Sequence, residues 1–116
     1  MFGELLKTSV HEGKEKHVPV IHAPAEVKAG EFFSVTVAVG EEVAHPNSPE
    51  HHIKWIQVFA HPEGSNPIQV ANFDVAPGSV EPRVTFNMKL ENTAVIYALA
   101  YCNIHGVWEA NFRISV

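Results

Sequence analysis

Five side chains of this 116-residue sequence could close around one metal ion: His17, His45, His51, Cys102 and His105, and Cys102 is its one cysteine. In Cys102-Asn103-Ile104-His105-Gly106 a thiol stands three residues ahead of a histidine, so a single turn can offer an anionic sulfur and an imidazole. The other three histidines would complete a nitrogen-rich ring. Thiolate and imidazole together favour iron or copper, and five ligands overfill the tetrahedron that structural zinc prefers. The chemistry this points to is electron transfer to a small substrate at a redox-active first-row metal.

Spacing carries more of this reading than residue type does. A single histidine beside a strand is usually a surface or hydrogen-bonded residue, and the chain has eight. His45 and His51, however, bracket Pro46-Asn47-Ser48-Pro49-Glu50, where two prolines stiffen a loop that can turn back and aim both rings at one point. Pro19 restricts the backbone two residues after His17, just before a strand begins. After Cys102, backbone N–H groups on a tight turn can point at the sulfur and stabilise the thiolate, and Gly106 permits close backbone approach.

The elements that must position these residues are strands. Apolar and polar side chains alternate along Val84–Leu90, Trp108–Val116 and Phe33–Val39, as in strands with one wet face. Ile53–Phe59 and Ala94–Tyr101 are more continuously apolar and read as strands covered on both sides. Turn residues cluster at 28–30, 45–49, 62–67, 76–79 and 91–93. The expectation is all-β: an immunoglobulin-like antiparallel β-sandwich of about seven strands, forming a single domain over residues 1–116. The Cys-Trp-Cys hallmark of antibody domains is missing, so that likeness is architectural. Residues 1 to about 10 read as a short helix or an arm.

Composition narrows the functional classes. A net charge of −5 argues against a nucleic-acid partner, which needs a clustered positive surface. It also disfavours an anionic substrate unless a local cationic patch outweighs the overall field. One cysteine cannot form an intramolecular disulfide, which suits a reducing compartment. The opening Met1–Lys7 lacks the charged start and long apolar centre of a signal peptide, and no stretch is apolar enough to span a bilayer. A cytoplasmic protein is expected.

Three blocks carry a resemblance: Glu15-Lys16-His17-Val18-Pro19-Val20-Ile21, His45-Pro46-Asn47-Ser48-Pro49-Glu50-His51-His52-Ile53-Lys54-Trp55-Ile56 and Cys102-Asn103-Ile104-His105-Gly106-Val107-Trp108. In this order they resemble the blocks of superoxide reductases, the neelaredoxin and desulfoferrodoxin family. With one cysteine in total the chain resembles the one-iron neelaredoxin class, because desulfoferrodoxins carry an additional four-cysteine iron module. The resemblance implies one iron ion per chain, ferrous or ferric. It places His17, His45, His51 and His105 in a plane around the metal and Cys102 on the axis. His52 matches a non-ligand position, and His11, His22 and His61 are read as surface residues.

The same resemblance implies reduction of superoxide to hydrogen peroxide, with electrons from a rubredoxin-like donor and a homotetrameric assembly. Lys16 becomes the cation that draws superoxide in and helps deliver protons. Glu15 becomes the carboxylate that binds iron in the ferric state only, with Glu12 as a competing candidate. Trp55 and Trp108 are read as core packing. The rival readings are a cupredoxin-like electron carrier, a superoxide dismutase, and a binding module whose histidines and cysteine are accidental. A cupredoxin centre needs two histidines and usually an axial methionine, and neither Met1 nor Met88 lies downstream of His105.

Overall fold

Among the residues that this computed structural model describes, 1–13 and 16–116, the chain forms β1 (Val20–His22), β2 (Phe33–Ala38), β3 (Ile53–Pro62), β4 (Ile68–Asp74), β5 (Arg83–Met88), β6 (Ala94–Cys102) and β7 (Gly106–Ile114). They pair antiparallel into two sheets, β1-β2-β5 and β4-β3-β6-β7. The chain changes sheet between β2 and β3, between β4 and β5 and again between β5 and β6. This is the crossing pattern of an immunoglobulin-like sandwich.

Side-chain alternation builds the core. Along β6 the residues Ala94, Ile96, Ala98, Ala100 and Cys102 are buried, and the residues between them are partly covered. Ile56, Val58 and Ala60 of β3 join them from the same sheet, and Val35, Val37, Val84 and Met88 pack from the other. Cys102 is the last residue of the inward row of β6. Its sulfur therefore leaves the apolar core at one end of the sandwich, where solvent cannot reach it.

The outward faces of β3 and β6 are half-buried rather than covered on both sides. Trp55 stacks on Tyr101 at 5.5 Å between ring centroids, and Phe2 and Leu6 line an apolar hollow with Phe59, Tyr97 and Leu99. The amino-terminal segment forms two 3-10 turns, Phe2–Glu4 and Ser9–His11, on either side of a bridge between Lys7 and Trp108. Lys7 N–H donates to Val107 O at 3.1 Å and Lys7 O accepts from Glu109 N–H at 2.8 Å, so this arm lies along β7. β4 lacks clean alternation because its register with β3 shifts between Val58 and Phe59.

Candidate metal centre

The β6–β7 ladder runs down to the pair Cys102↔Gly106 and leaves residues 103–105 as the connection. Gly106 has φ +86°, and a Cβ added there would meet nothing within 4 Å. The close backbone approach expected from the sequence is therefore not what requires glycine here; its left-handed backbone is. Within the turn, Cys102 Sγ accepts the His105 N–H at 3.4 Å and lies 3.7 Å from His105 Nδ1. The Trp108 indole N–H donates to His105 O at 3.1 Å and ties the turn to β7.

The segment before β3 folds over this turn. Ser48 N–H donates to His51 O at 2.9 Å and His51 N–H returns to Ser48 O at 3.2 Å, closing the proline-bracketed loop on itself. Asn103 then fastens the loop to the hairpin: its Oδ1 accepts His52 N–H at 2.9 Å and its Nδ2 donates to Glu50 O at 2.9 Å. His52 is buried and turns away from the centre, with Nδ1 donating to Ser48 O at 3.0 Å. Adjacent residues leaving on opposite sides explain why His51, and not His52, reaches the cluster.

His45 is held from behind. Its Nδ1 donates to Pro46 O at 2.7 Å, which leaves Nε2 on the far side of the ring, buried. Gly40, at φ +80°, lies so close that an added Cβ would stand 2.5 Å from His45 N. Asn47 secures the same loop on its other flank, donating from Nδ2 to Val80 O at 3.2 Å and accepting Gly78 N–H at 2.9 Å.

His17 arrives from the segment before β1. Its ring lies on the Trp108 indole at 4.6 Å between centroids and 14° between planes. Its Nε2 is 3.1 Å from His105 Nδ1. Its backbone N–H donates to Glu12 Oε2 at 2.6 Å.

These elements bring one donor atom each from His17, His51, Cys102 and His105 within 4.8 Å of one another. Bond lengths of about 2.0–2.3 Å to nitrogen and sulfur allow donors on one ion to stand about 3 Å apart when adjacent and about 4–4.6 Å when opposite. The His17–His105 separation fits the first value, and a shift of a few tenths of an ångström brings the set inside the second. Three imidazoles and a buried thiol therefore fit a single iron ion. His45 stands outside the 4.8 Å group but joins the ring of imidazoles, with centroids 5.0 Å from His17 and 4.9 Å from His51. His17, His45 and Cys102 are buried and His105 is exposed, so the cluster has one wet side.

Lys16 is half-buried next to His17 and lines a shallow hollow with Glu12, Glu41 and Glu42. Glu15 lies outside the described residues. His11 and His22 are exposed, bonded to Thr8 and Glu41 respectively, and His61 is exposed at the far end of β3. Sequence reasoning passed over Asn103 and Gly40, treated Glu12 as a rival carboxylate, and gave Trp108 to the core. An asparagine directly after the cysteine and a glycine at the close of β2 were the available signals for the first two.

A β-sandwich that ends in a convergent imidazole and thiol cluster defines a mononuclear metal-centre protein. The family model described as Desulfoferrodoxin matches residues 9–111, and the chain belongs to that family. It is 46% identical over 118 residues to a superoxide reductase of Pyrococcus horikoshii, covering 96% of this chain and 100% of the relative. It is 38% identical over 115 residues to a neelaredoxin of Megalodesulfovibrio gigas, covering 88% of each. A solved superoxide reductase (neelaredoxin) structure from Ignicoccus hospitalis superposes with a TM-score of 0.93 at 43% identity, over 100% of this chain and 98% of that one.

Proposed function

We infer that this chain reduces superoxide to hydrogen peroxide at a mononuclear non-haem iron centre, using electrons from an external donor. The observation that carries this reading is the convergence of His17, His51, Cys102 and His105 in a member of the desulfoferrodoxin family. The reaction adds one electron and two protons to superoxide and gives one hydrogen peroxide. When bound, ferrous iron supplies that electron.

The residues of the chain divide the remaining work. His17, His45, His51 and His105 hold the ion, and neutral imidazoles leave it electrophilic toward an anion. Cys102 contributes a negative sulfur, which favours loss of an electron, and the His105 N–H directed at that sulfur moderates the effect. Glu15 is the carboxylate ligand of the ferric state, because the harder ion prefers oxygen. Lys16 supplies local positive charge in a chain of net −5 and shares its hollow with three carboxylates, so its pull on superoxide acts at short range. Its second task is to help bring protons to the product through water.

The 116 residues act as one iron-binding domain, fed by a rubredoxin-like donor, as a homotetramer in the cytoplasm. Among the described residues no helix is long and apolar enough to cross a membrane. The cupredoxin reading is the weaker one: Met88 packs into the hydrophobic core and Met1 is 94% exposed, so neither serves an axial position.

Anaerobic metal analysis with product stoichiometry tests the assignment. One iron per chain, and one hydrogen peroxide per superoxide without release of dioxygen, is expected. Copper in place of iron would return the centre to an electron carrier. Dioxygen formed alongside peroxide would make it a dismutase.

A further inference from the structure

Glu12 takes up two backbone amides at once. A single carboxylate oxygen, Oε2, accepts the backbone N–H of His17 at 2.6 Å and that of Val18 at 3.0 Å. Two successive amides turned toward one anion form a nest, and both bonds are charge-assisted. The β1–β2 ladder cannot take over this task, since its first pair is Val20↔Ala38 and Pro19 has no N–H to give. His17 is 5% exposed, so its amide needs a partner from within the protein.

The same stretch is fixed on its other sides. The His17 ring is stacked on Trp108, and Pro19 is fully buried two residues later. Glu12 supplies the third constraint, on the backbone from which the His17 side chain departs. With both amides on one oxygen, the carboxylate acts on the chain and not on the ion.

We propose that Glu12 is a positioning residue of the iron centre: by holding the His17 and Val18 amides it sets the reach of the His17 imidazole and thereby how firmly the centre retains iron. This role rests on the iron-centre reading above. It predicts that the acceptor matters and the negative charge matters less, so glutamine at this position preserves most of the effect and alanine loses it.

The test uses the iron-loaded chain and the variants Glu12→Ala and Glu12→Gln. Three quantities are read: the rate of iron release to a chelator, the sulfur-to-iron absorption band of the oxidised protein, and hydrogen exchange by mass spectrometry in the peptide containing His17 and Val18. In Glu12→Ala, loss of two charge-assisted bonds gives roughly tenfold faster iron release and roughly tenfold faster exchange, with a displaced band. Glu12→Gln stays within about threefold of the parent on both rates, because a neutral acceptor keeps part of each bond. Faster exchange in Glu12→Ala with unchanged iron release and an unchanged band would make Glu12 an ordinary loop fastener and overturn the proposal. Unchanged exchange in Glu12→Ala would overturn it as well. So would Glu12→Gln losing iron as fast as Glu12→Ala while its amides stay protected, the behaviour of a direct ligand. A parent chain that takes up no iron would overturn the centre's reading, and this role with it, before any variant is made.

Discussion

Two kinds of structure hold the cluster, and they hold it differently. Cys102 and His105 sit at the end of the β6–β7 hairpin, where a continuous ladder from Ala94↔Ile114 to Cys102↔Gly106 fixes the backbone of Cys102 and both ends of the short turn that carries His105. His17 sits on the segment before β1, and His45 and His51 sit on the connection between β2 and β3. Their positions depend on single side chains or contacts: Glu12 on the His17 amide, Gly40 against His45 and Asn103 beneath the 48–52 turn. A ladder distributes its hold over many bonds, so no one residue outside the ligands should be decisive there. The connections concentrate theirs, so single substitutions should release individual histidines.

The largest effect comes from the hairpin ligand itself. Cys102→Ser replaces a thiolate with a hydroxyl that does not ionise, so the sulfur-to-iron band disappears and superoxide reduction falls beyond roughly 100-fold, the upper end for loss of an outer partner of a metal site. The side chain is fully buried, and placing a hydroxyl there costs about 1–3 kcal/mol, read as a lower midpoint in urea with an unchanged slope. Retention of the absorption band in this variant would mean that the sulfur does not bind the metal.

A glycine on each side of the comparison sharpens it. Gly106→Ala on the hairpin faces a left-handed φ of +86° with open space around the new Cβ, so it should cost about 1–2 kcal/mol and leave iron content near normal. Gly40→Ala faces φ +80° and a backbone nitrogen at 2.5 Å, so the His45 segment must move. Iron content by metal analysis is expected to fall by half or more, with a stability loss above that of Gly106→Ala. The reverse order of iron loss would show that the hairpin, and not the connections, is the fragile part.

The same division decides how much of the fold and the centre is legible in the sequence. Alternation in 84–90 and 33–39 marks two strands of one sheet, and the apolar runs 53–59 and 94–101 mark the central pair of the other. Their ends were less visible. β7 begins at Gly106 and not near Trp108, because pairing continues to the turn, a matter of register that periodicity does not record. β4 escaped notice because a register shift spoils its alternation. At the centre, residue types and spacing pointed to the clustered donors, since chemistry is written in side-chain identity. The fasteners were hidden because their partners are remote: Asn103 and His52 are 51 positions apart. Trp108 looked like core and is indeed 4% exposed, yet its ring lies on His17 and its N–H holds His105, a double service that burial pattern alone does not reveal.

Asn103 offers a smaller effect on the connection side. Asn103→Ala removes the two side-chain bonds that tie the His51 turn to the hairpin, each worth about 0.5–1.5 kcal/mol net, and leaves the backbone bond from Asn103 N–H to His52 O. Iron release to a chelator should quicken several-fold while the sulfur-to-iron band keeps its position, because the ladder still holds Cys102 and both ends of the turn that carries His105. A displaced band would show that the two supports are coupled and would break the distinction drawn between them.

The smallest effect lies beyond the cluster, where Glu41 follows Gly40 on the connection to His45. Glu41 Oε1 accepts from His22 at 2.6 Å and from Arg83 at 2.9 Å, and the His22 bond is the main cause that holds its carboxyl below the ordinary value of 4.5, with Arg83 adding to it. A carboxylate with a lowered folded-state pKa contributes stability that is present above its ordinary value and is lost as the pH falls through the folded-state value. Glu41→Gln removes that contribution, so parent and variant should differ in midpoint temperature near neutral pH by a few degrees at most, as expected of an exposed pair. The difference should shrink as the pH falls below about 4.5. Acid loss of iron affects both proteins alike and cancels in the comparison. A difference that grows toward acid would mean that the folded state favours protonated Glu41, contrary to the bonds from His22 and Arg83.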